Sequence, residues 1–260
     1  VKTALDSDVI PRCHFEDITR ADYKGFVLPF ASELMKLSKE YDKPVKIRLC
    51  DTLGFGLPWA QAALPRGVPK LVRGLRQAGV PSEWLEWHGH NDFHKVQVSA
   101  AAAWLYGCSA ANTAIFGCGE RTGNPPLEAM VVEHAQLKGM TEGVNYSAIT
   151  ELAEYAKKEL GFEIPRNYPL VGQDFNITRA GIHADGLLKN EEIYNCFDTK
   201  ELLNRPVGVA ITDKTGAAGI KHWVETRYDI QIPKHDPRIT QIKDRIDAEY
   251  AADRVSMISD

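Results

Sequence analysis

From residue 8 to about residue 137, short apolar runs that end in polar clusters alternate with longer stretches whose apolar positions recur every three or four residues. The short runs read as strands and the longer ones as amphipathic helices. Strands are predicted over 8–15, 44–50, 84–88 and 109–116, and helices over 22–41, 68–78, 94–106 and 125–137, the last with proline in its first turn. A glycine cluster over 117–123 forms the turn before that last helix. Four consecutive strand–helix units at this spacing imply parallel strands joined by helical crossovers, an α/β class.

After Gly139 the pattern changes. An amphipathic Glu/Lys-rich helix is predicted over 145–160, followed by a proline-spaced segment over 164–169 and a lone histidine, His183, flanked by glycines. Further helices are predicted over 217–228 and 237–250. The chain therefore divides into a first domain over 1–140 and a smaller, mostly helical one over 141–260. No internal repeat or low-complexity tract interrupts either part.

Composition narrows the picture. The 260 residues are 44% apolar and 25% charged, as in an ordinary globular protein, and the net charge of -4 provides no basic field for nucleic acid. No apolar run approaches the ~20 residues of a membrane span. The five cysteines are odd in number and form no C-x-x-C pair, which favours reduced thiols in a cytoplasmic setting.

Both common parallel architectures place their chemistry at the carboxyl ends of the strands. Here Glu16–Asp17 follows the first strand, Asp51–Thr52 the second, His88, His90, Asn91 and Asp92 the third, and Glu120, Arg121 and Asn124 the fourth. Convergence of these clusters on one rim argues for an active site. His88 and His90 share a strand face, since side chains alternate with period two, and two imidazoles on one face suit a divalent ion; the alternative is a pair of surface or capping residues at the turn. Arg12, His14 and Glu16 likewise face one side. Asp51 and Asn124 also fit as turn formers, Asp92 as the cap of the following helix, and Glu16 as a salt-bridge partner of Arg20. Gly117, Gly119 and Gly123 do not have the spacing of a dinucleotide fingerprint, so a nicotinamide site is rejected.

Five stretches in order resemble the family of 2-isopropylmalate, homocitrate and (Re)-citrate synthases, metal-dependent acyl-CoA:2-keto-acid condensing enzymes. They are His14-Phe15-Glu16-Asp17-Ile18-Thr19-Arg20, Cys50-Asp51-Thr52-Leu53-Gly54, His88-Gly89-His90-Asn91-Asp92, the run from Gly117 to Asn124, and the run from Gly181 to Asn190. The segments Trp87 to Phe93 and Trp104 to Cys108 resemble the (Re)-citrate branch most. The resemblance implies a (β/α)8 barrel of which this chain carries strands five to eight, followed by a small helical subdomain. A whole barrel takes roughly 250 residues, whereas the four units here end near residue 139. The first half-barrel would come from other polypeptide, through truncation or a partner chain. Four strands alone would leave open edges, so self-association or a complementing half-barrel is expected.

The resemblance also implies roles. His88 and His90 would be metal ligands, with Asn124 beside the ion (Mg, Mn or Zn). The family's third ligand, an Asp on the first strand, has no equivalent here. Glu16, Glu120 and His183 would act on acetyl-CoA, His183 often from a neighbouring subunit. Arg12, His14, Thr52 and Arg121 would hold the 2-keto acid, and His14 departs from the Arg-x-Ser-x-Glu of homocitrate-type relatives. Glu120–Arg121 places the chain with synthases rather than acyl-CoA lyases, which remain an alternative within the same superfamily. A non-catalytic subunit is the alternative of a different class.

Overall fold

The computed structural model describes residues 1–178, 186, 190–193, 195–233 and 235–258. His183 lies outside the described residues. Two compact units follow one another along the chain, Val1–Thr141 and Glu142–Asp260.

The first unit is an α/β layer. After a short helix, α1 (Lys2–Asp6), come β1 (Arg12–Phe15), α2 (Leu28–Tyr41), β2 (Lys46–Asp51), α3 (Val68–Gln77), β3 (Leu85–Gly89), α4 (Val96–Tyr106), β4 (Ala110–Asn112) and α5 (Leu127–Lys138). The strands form one sheet in the order β1-β2-β3-β4, every pairing parallel, as the strand–helix alternation predicts. Two strands end differently from the sequence expectation. β1 begins at Arg12 rather than residue 8, because Asp8 takes a left-handed φ of 60° that ends extended structure. β4 stops at Asn112 rather than residue 116, because the chain turns there and Phe116 takes a φ of 53°.

The two faces of the sheet differ in chemistry. Phe15, Ile47, Leu49, Leu85 and Trp87 point to one side and form a core with Leu34 of α2, Leu71, Val72 and Leu75 of α3, and Ala100, Ala102 and Ala103 of α4. In α3, Val68, Leu71, Val72 and Leu75 recur at helical spacing and are all buried. α4 buries four consecutive alanines, whose small side chains suit a helix enclosed on several sides. The residues between the apolar ones take the opposite face. Parallel register aligns His14 with Arg48 and Arg48 with Glu86, then Cys50 with His88 and His88 with Asn112. This second face is polar apart from Ala110 beside Glu86.

The second unit contains α6 (Ser147–Leu160), β5 (Ile177–Thr178), α7 (Thr199–Leu203), β6 (Gly208–Val209), α8 (Ala217–Tyr228) and α9 (Pro237–Ala251). Its three long helices match the pattern of the sequence, but the short α7 and the parallel pair β5–β6, a small sheet, were missed by the sequence reading. At two residues each, these strands are too short to show an alternating pattern. Ile211, Ile220, Val224, Ile232, Ile239 and Ile246 form the core of this unit. Among the described residues, no helix is long and apolar enough to cross a membrane.

Candidate active site

The site is built at the carboxyl ends of β1 to β4, where the polar face meets the strand–helix loops. At the end of β3, Leu85 and Trp87 turn into the core and leave His88 and His90 on the polar side. Their rings stand edge to face with centroids 5.1 Å apart. Gly89 between them is tightly enclosed: a Cβ would meet Trp87 Nε1 at 3.0 Å and Val96 at 3.3 Å, so these neighbours would have to give by a few tenths of an ångström.

Asn112, at the end of β4, orients the first histidine. Its Oδ1 lies 2.8 Å from His88 Nδ1. An amide oxygen only accepts, so Nδ1 carries the hydrogen and Nε2 keeps a free lone pair. Burial, ahead of every other influence, pushes the His88 pKa down and favours the neutral ring. His90 is 8% exposed, and its Nδ1 is buried with no hydrogen-bond partner among the described residues. A buried polar atom without a partner calls for an explanation. The Nε2 lone pair of His88 and the unpartnered nitrogen of His90 fit a divalent ion as donors. Among the described residues no third His, Cys, Asp or Glu joins them within ligand reach. A separate grouping does form beside them: ligand atoms of His14, Glu16 and Cys50 lie within 4.8 Å of one another. Burial and the Glu16 carboxylate push the Cys50 thiol up to about 12, so it stays protonated at neutral pH.

The other sequence-predicted residues gather around this rim. Glu16 accepts a 2.9 Å hydrogen bond from the Thr52 hydroxyl, lies 3.9 Å from His14 Nδ1 and remains exposed. Arg20 pairs with Asp17 instead of Glu16, so the salt-bridge alternative for Glu16 does not hold. Thr52 Oγ1 also accepts from the Asp17 N–H at 2.8 Å and ties the first two loops together. Asp51 is no simple turn former: buried to 2% exposure, it accepts from Thr19 Oγ1 and from the Gly56 N–H.

Arg121 donates to Asp92 Oδ1 at 3.0 Å and to the Thr52 carbonyl at 2.5 Å. Asp92 therefore holds Arg121 instead of capping α4, and this pairing keeps its carboxyl below the usual range. Asn124 Nδ2 donates to the Gly89 carbonyl at 2.8 Å, which fastens the loop over 117–124 to the histidine strand. Glu120 is exposed, with one 3.5 Å contact to Arg121. Arg12 lies deeper on the polar face, against Glu86. Sequence reading missed Asn112, Arg48, Cys50 and Glu86 as site residues. The strand register brings them beside the histidines; Cys50 opens one of the motif stretches, whereas no local motif marks Asn112, Arg48 or Glu86.

The HMGL-like family model matches residues 11–155. The chain is 54% identical to a citrate (Re)-synthase of Syntrophus aciditrophicus, over 100% of this chain and 42% of that protein. It is also 54% identical to a citrate (Re)-synthase of Clostridium kluyveri, over 99% of this chain and 58% of that protein. A 2-phosphinomethylmalate synthase of Streptomyces hygroscopicus is 38% identical, over 99% of this chain and 59% of its own length. The chain thus spans about half the length of the curated relatives it matches. With more than half of its residues covered by the family model, this chain belongs to the HMGL-like family.

Proposed function

We propose that this chain is the carboxyl-terminal part of a metal-dependent condensing enzyme that joins acetyl-CoA to a 2-keto acid, with oxaloacetate as acceptor and citrate as product. The observation that carries the reading is the pair His88 and His90, with one ring oriented by Asn112 and the other holding an orphaned buried nitrogen. The citrate (Re)-synthase names of two relatives supply the acceptor. The sheet of the first unit would serve as strands five to eight of a (β/α)8 barrel, its polar face turned inward, with the second unit as a post-barrel subdomain. The first four strands and the third ligand would come from polypeptide outside this chain. Those strands would also cover the open edges of the sheet, and association into oligomers follows from the same need.

His88 and His90 would hold the ion with Asn124 beside it; the ion would polarise the keto group of the acceptor and fix its orientation. A methyl proton of acetyl-CoA passes to a base, and the freed carbon pair forms a bond to the keto carbon. The keto oxygen takes a proton to become a hydroxyl, and water cleaves the thioester to a carboxylate and free CoA. Glu16, exposed and hydrogen-bonded to Thr52, would take part in that proton transfer; by the family resemblance Glu120 and His183 would act on acetyl-CoA as well. His183 suits the task chemically because its ordinary pKa lies near 6.5. Arg121 acts by clasping the second and third loops together, which holds Thr52 and Asp92 at the rim.

The test is metal-dependent release of free CoA with oxaloacetate, 2-oxoglutarate and 2-ketoisovalerate in turn, on this chain alone and after adding the amino-terminal half-barrel of a relative. Release that is fastest with oxaloacetate supports the proposal. No release in either form with any acceptor defeats it in favour of a non-catalytic subunit, and preference for 2-ketoisovalerate moves the chain to the isopropylmalate type. Asn112→Leu gives a second prediction. It is expected to weaken metal affinity by about 10–100-fold, as outer-shell changes do, and to mix the His88 tautomers in a nitrogen-15 spectrum. Unchanged affinity and an unchanged tautomer would remove Asn112 from the site.

A further inference from the structure

Beside the two histidines, the polar face carries a buried thiol that the condensation chemistry does not use. Phe15 aligns with Leu49, so the residues that follow, Glu16 and Cys50, emerge side by side on that face, and Cys50 aligns in turn with His88. His14 reaches the same spot from two residues earlier on β1. Ligand atoms of His14, Glu16 and Cys50 all lie within 4.8 Å of one another, with His14 Nδ1 3.9 Å from Glu16 Oε1. The carboxylate is already oriented: Thr52 donates to its Oε2 at 2.9 Å, which leaves Oε1 turned toward His14. Among the described residues, neither His88 nor His90 joins this grouping. It is a second donor set, separate from the first.

The donor types select the ion. A thiolate, an imidazole and a carboxylate oxygen are zinc ligands, whereas magnesium and manganese prefer oxygen alone. In a zinc tetrahedron the donors stand about 3.3–3.7 Å apart, so these three need to draw together by only about 1 Å. The His14 and Glu16 side chains, 44% and 63% exposed, can make that movement over Cys50, which is fully buried beneath them. Coordination removes the thiol proton outright, and the proton passes to solvent. We propose that His14, Glu16 and Cys50 form an inhibitory site for a thiophilic divalent ion, zinc above all, distinct from the pair His88 and His90. An ion held there ties up the Glu16 carboxylate and so withdraws it from proton transfer. The inhibition rests on the condensing activity proposed above; the binding of the ion does not.

Cobalt, a spectroscopic stand-in for zinc, reports a sulfur ligand through a thiolate-to-metal charge-transfer band. In the His88→Ala, His90→Ala double variant, which lacks the first donor pair, one equivalent of zinc should still bind. Cobalt should still give the band there, and magnesium should not compete. Adding Cys50→Ser should abolish the band and weaken zinc binding by more than about 100-fold, beyond the range of outer-shell changes. His14→Ala, at an exposed position outside the core, covers the case in which Cys50→Ser fails to fold. It should weaken zinc binding by at least about tenfold, the lower end of what even an outer-shell change costs. No band, a band that survives Cys50→Ser, or zinc affinity unchanged in His14→Ala would overturn the site. In the assembled enzyme working with magnesium, zinc should inhibit CoA release, and less strongly in His14→Ala when judged against that variant's own zinc-free rate. Equal inhibition of both would mark displacement of the catalytic ion and overturn the inhibitory role. If the band follows Cys50 while no acceptor supports CoA release, the condensing activity falls and the metal site stands.

Discussion

Replacing His88 and His90 together by alanine is expected to weaken divalent-metal binding by more than about 100-fold, beyond the range of outer-shell changes, and to reduce CoA release to background. The geometry supports a selective effect. Both rings lie on the polar face, so their loss removes no side chain from the core packed around Trp87 and Leu85. The backbone between them stays held by the Asn124 bond to the Gly89 carbonyl. Metal affinity read by calorimetry should therefore collapse while the thermal transition moves little. The opposite result carries equal weight. If the rings serve packing alone, with His88 bonded to Asn112 as an end in itself, the transition would drop and metal affinity would stay. CoA release that persists in the double variant would end the metal assignment.

The sequence makes the first unit legible because its two periodicities are clean. Strands such as Lys46–Asp51 turn Ile47 and Leu49 into the core against helices such as Val68–Gln77, which show a regular apolar stripe. His88 and His90 stand out for the same reason: period-two spacing fixes their common face whatever the neighbouring strands do. The floor of the face is another matter. Arg12, Arg48 and Glu86 lie on three strands and become neighbours only through the parallel register, which no short motif encodes. Asp92 shows the same limit. Its position before a helix suggests a cap, yet the loop over 117–124 folds back and presents Arg121, a partner 29 residues away that local spacing cannot anticipate. The end of β4 escaped notice because Ile115 and Phe116 are as apolar as strand residues, and only the left-handed backbone at Phe116 turns the chain aside.

The largest backbone effect is expected at Gly123→Ala. Gly123 has a φ of +89°, and a Cβ there would clash with the Gly117 carbonyl oxygen. That oxygen cannot retreat freely, because it accepts from the Asn124 N–H at 3.1 Å. Gly123 is held on both sides as well: its N–H donates to the Glu120 carbonyl, and its own carbonyl accepts from the Asn91 N–H beside the histidines. The left-handed backbone alone costs about 1–3 kcal/mol for a non-glycine residue, and the clash adds to it. Gly139→Ala separates the two terms, since Gly139 has a φ of +67° with nothing within 4 Å of a Cβ. Each kcal/mol moves the melting temperature of a domain of 150–250 residues by about 2–4 °C, so Gly123→Ala should melt clearly below Gly139→Ala. Only Gly123→Ala should also lose metal affinity, because displacing its loop frees Asn124 from Gly89 and Arg121 from Asp92. Equal melting of the two variants with metal affinity intact would mean that the loop yields without disturbing the histidines, and the clasp would then have no part in holding the site.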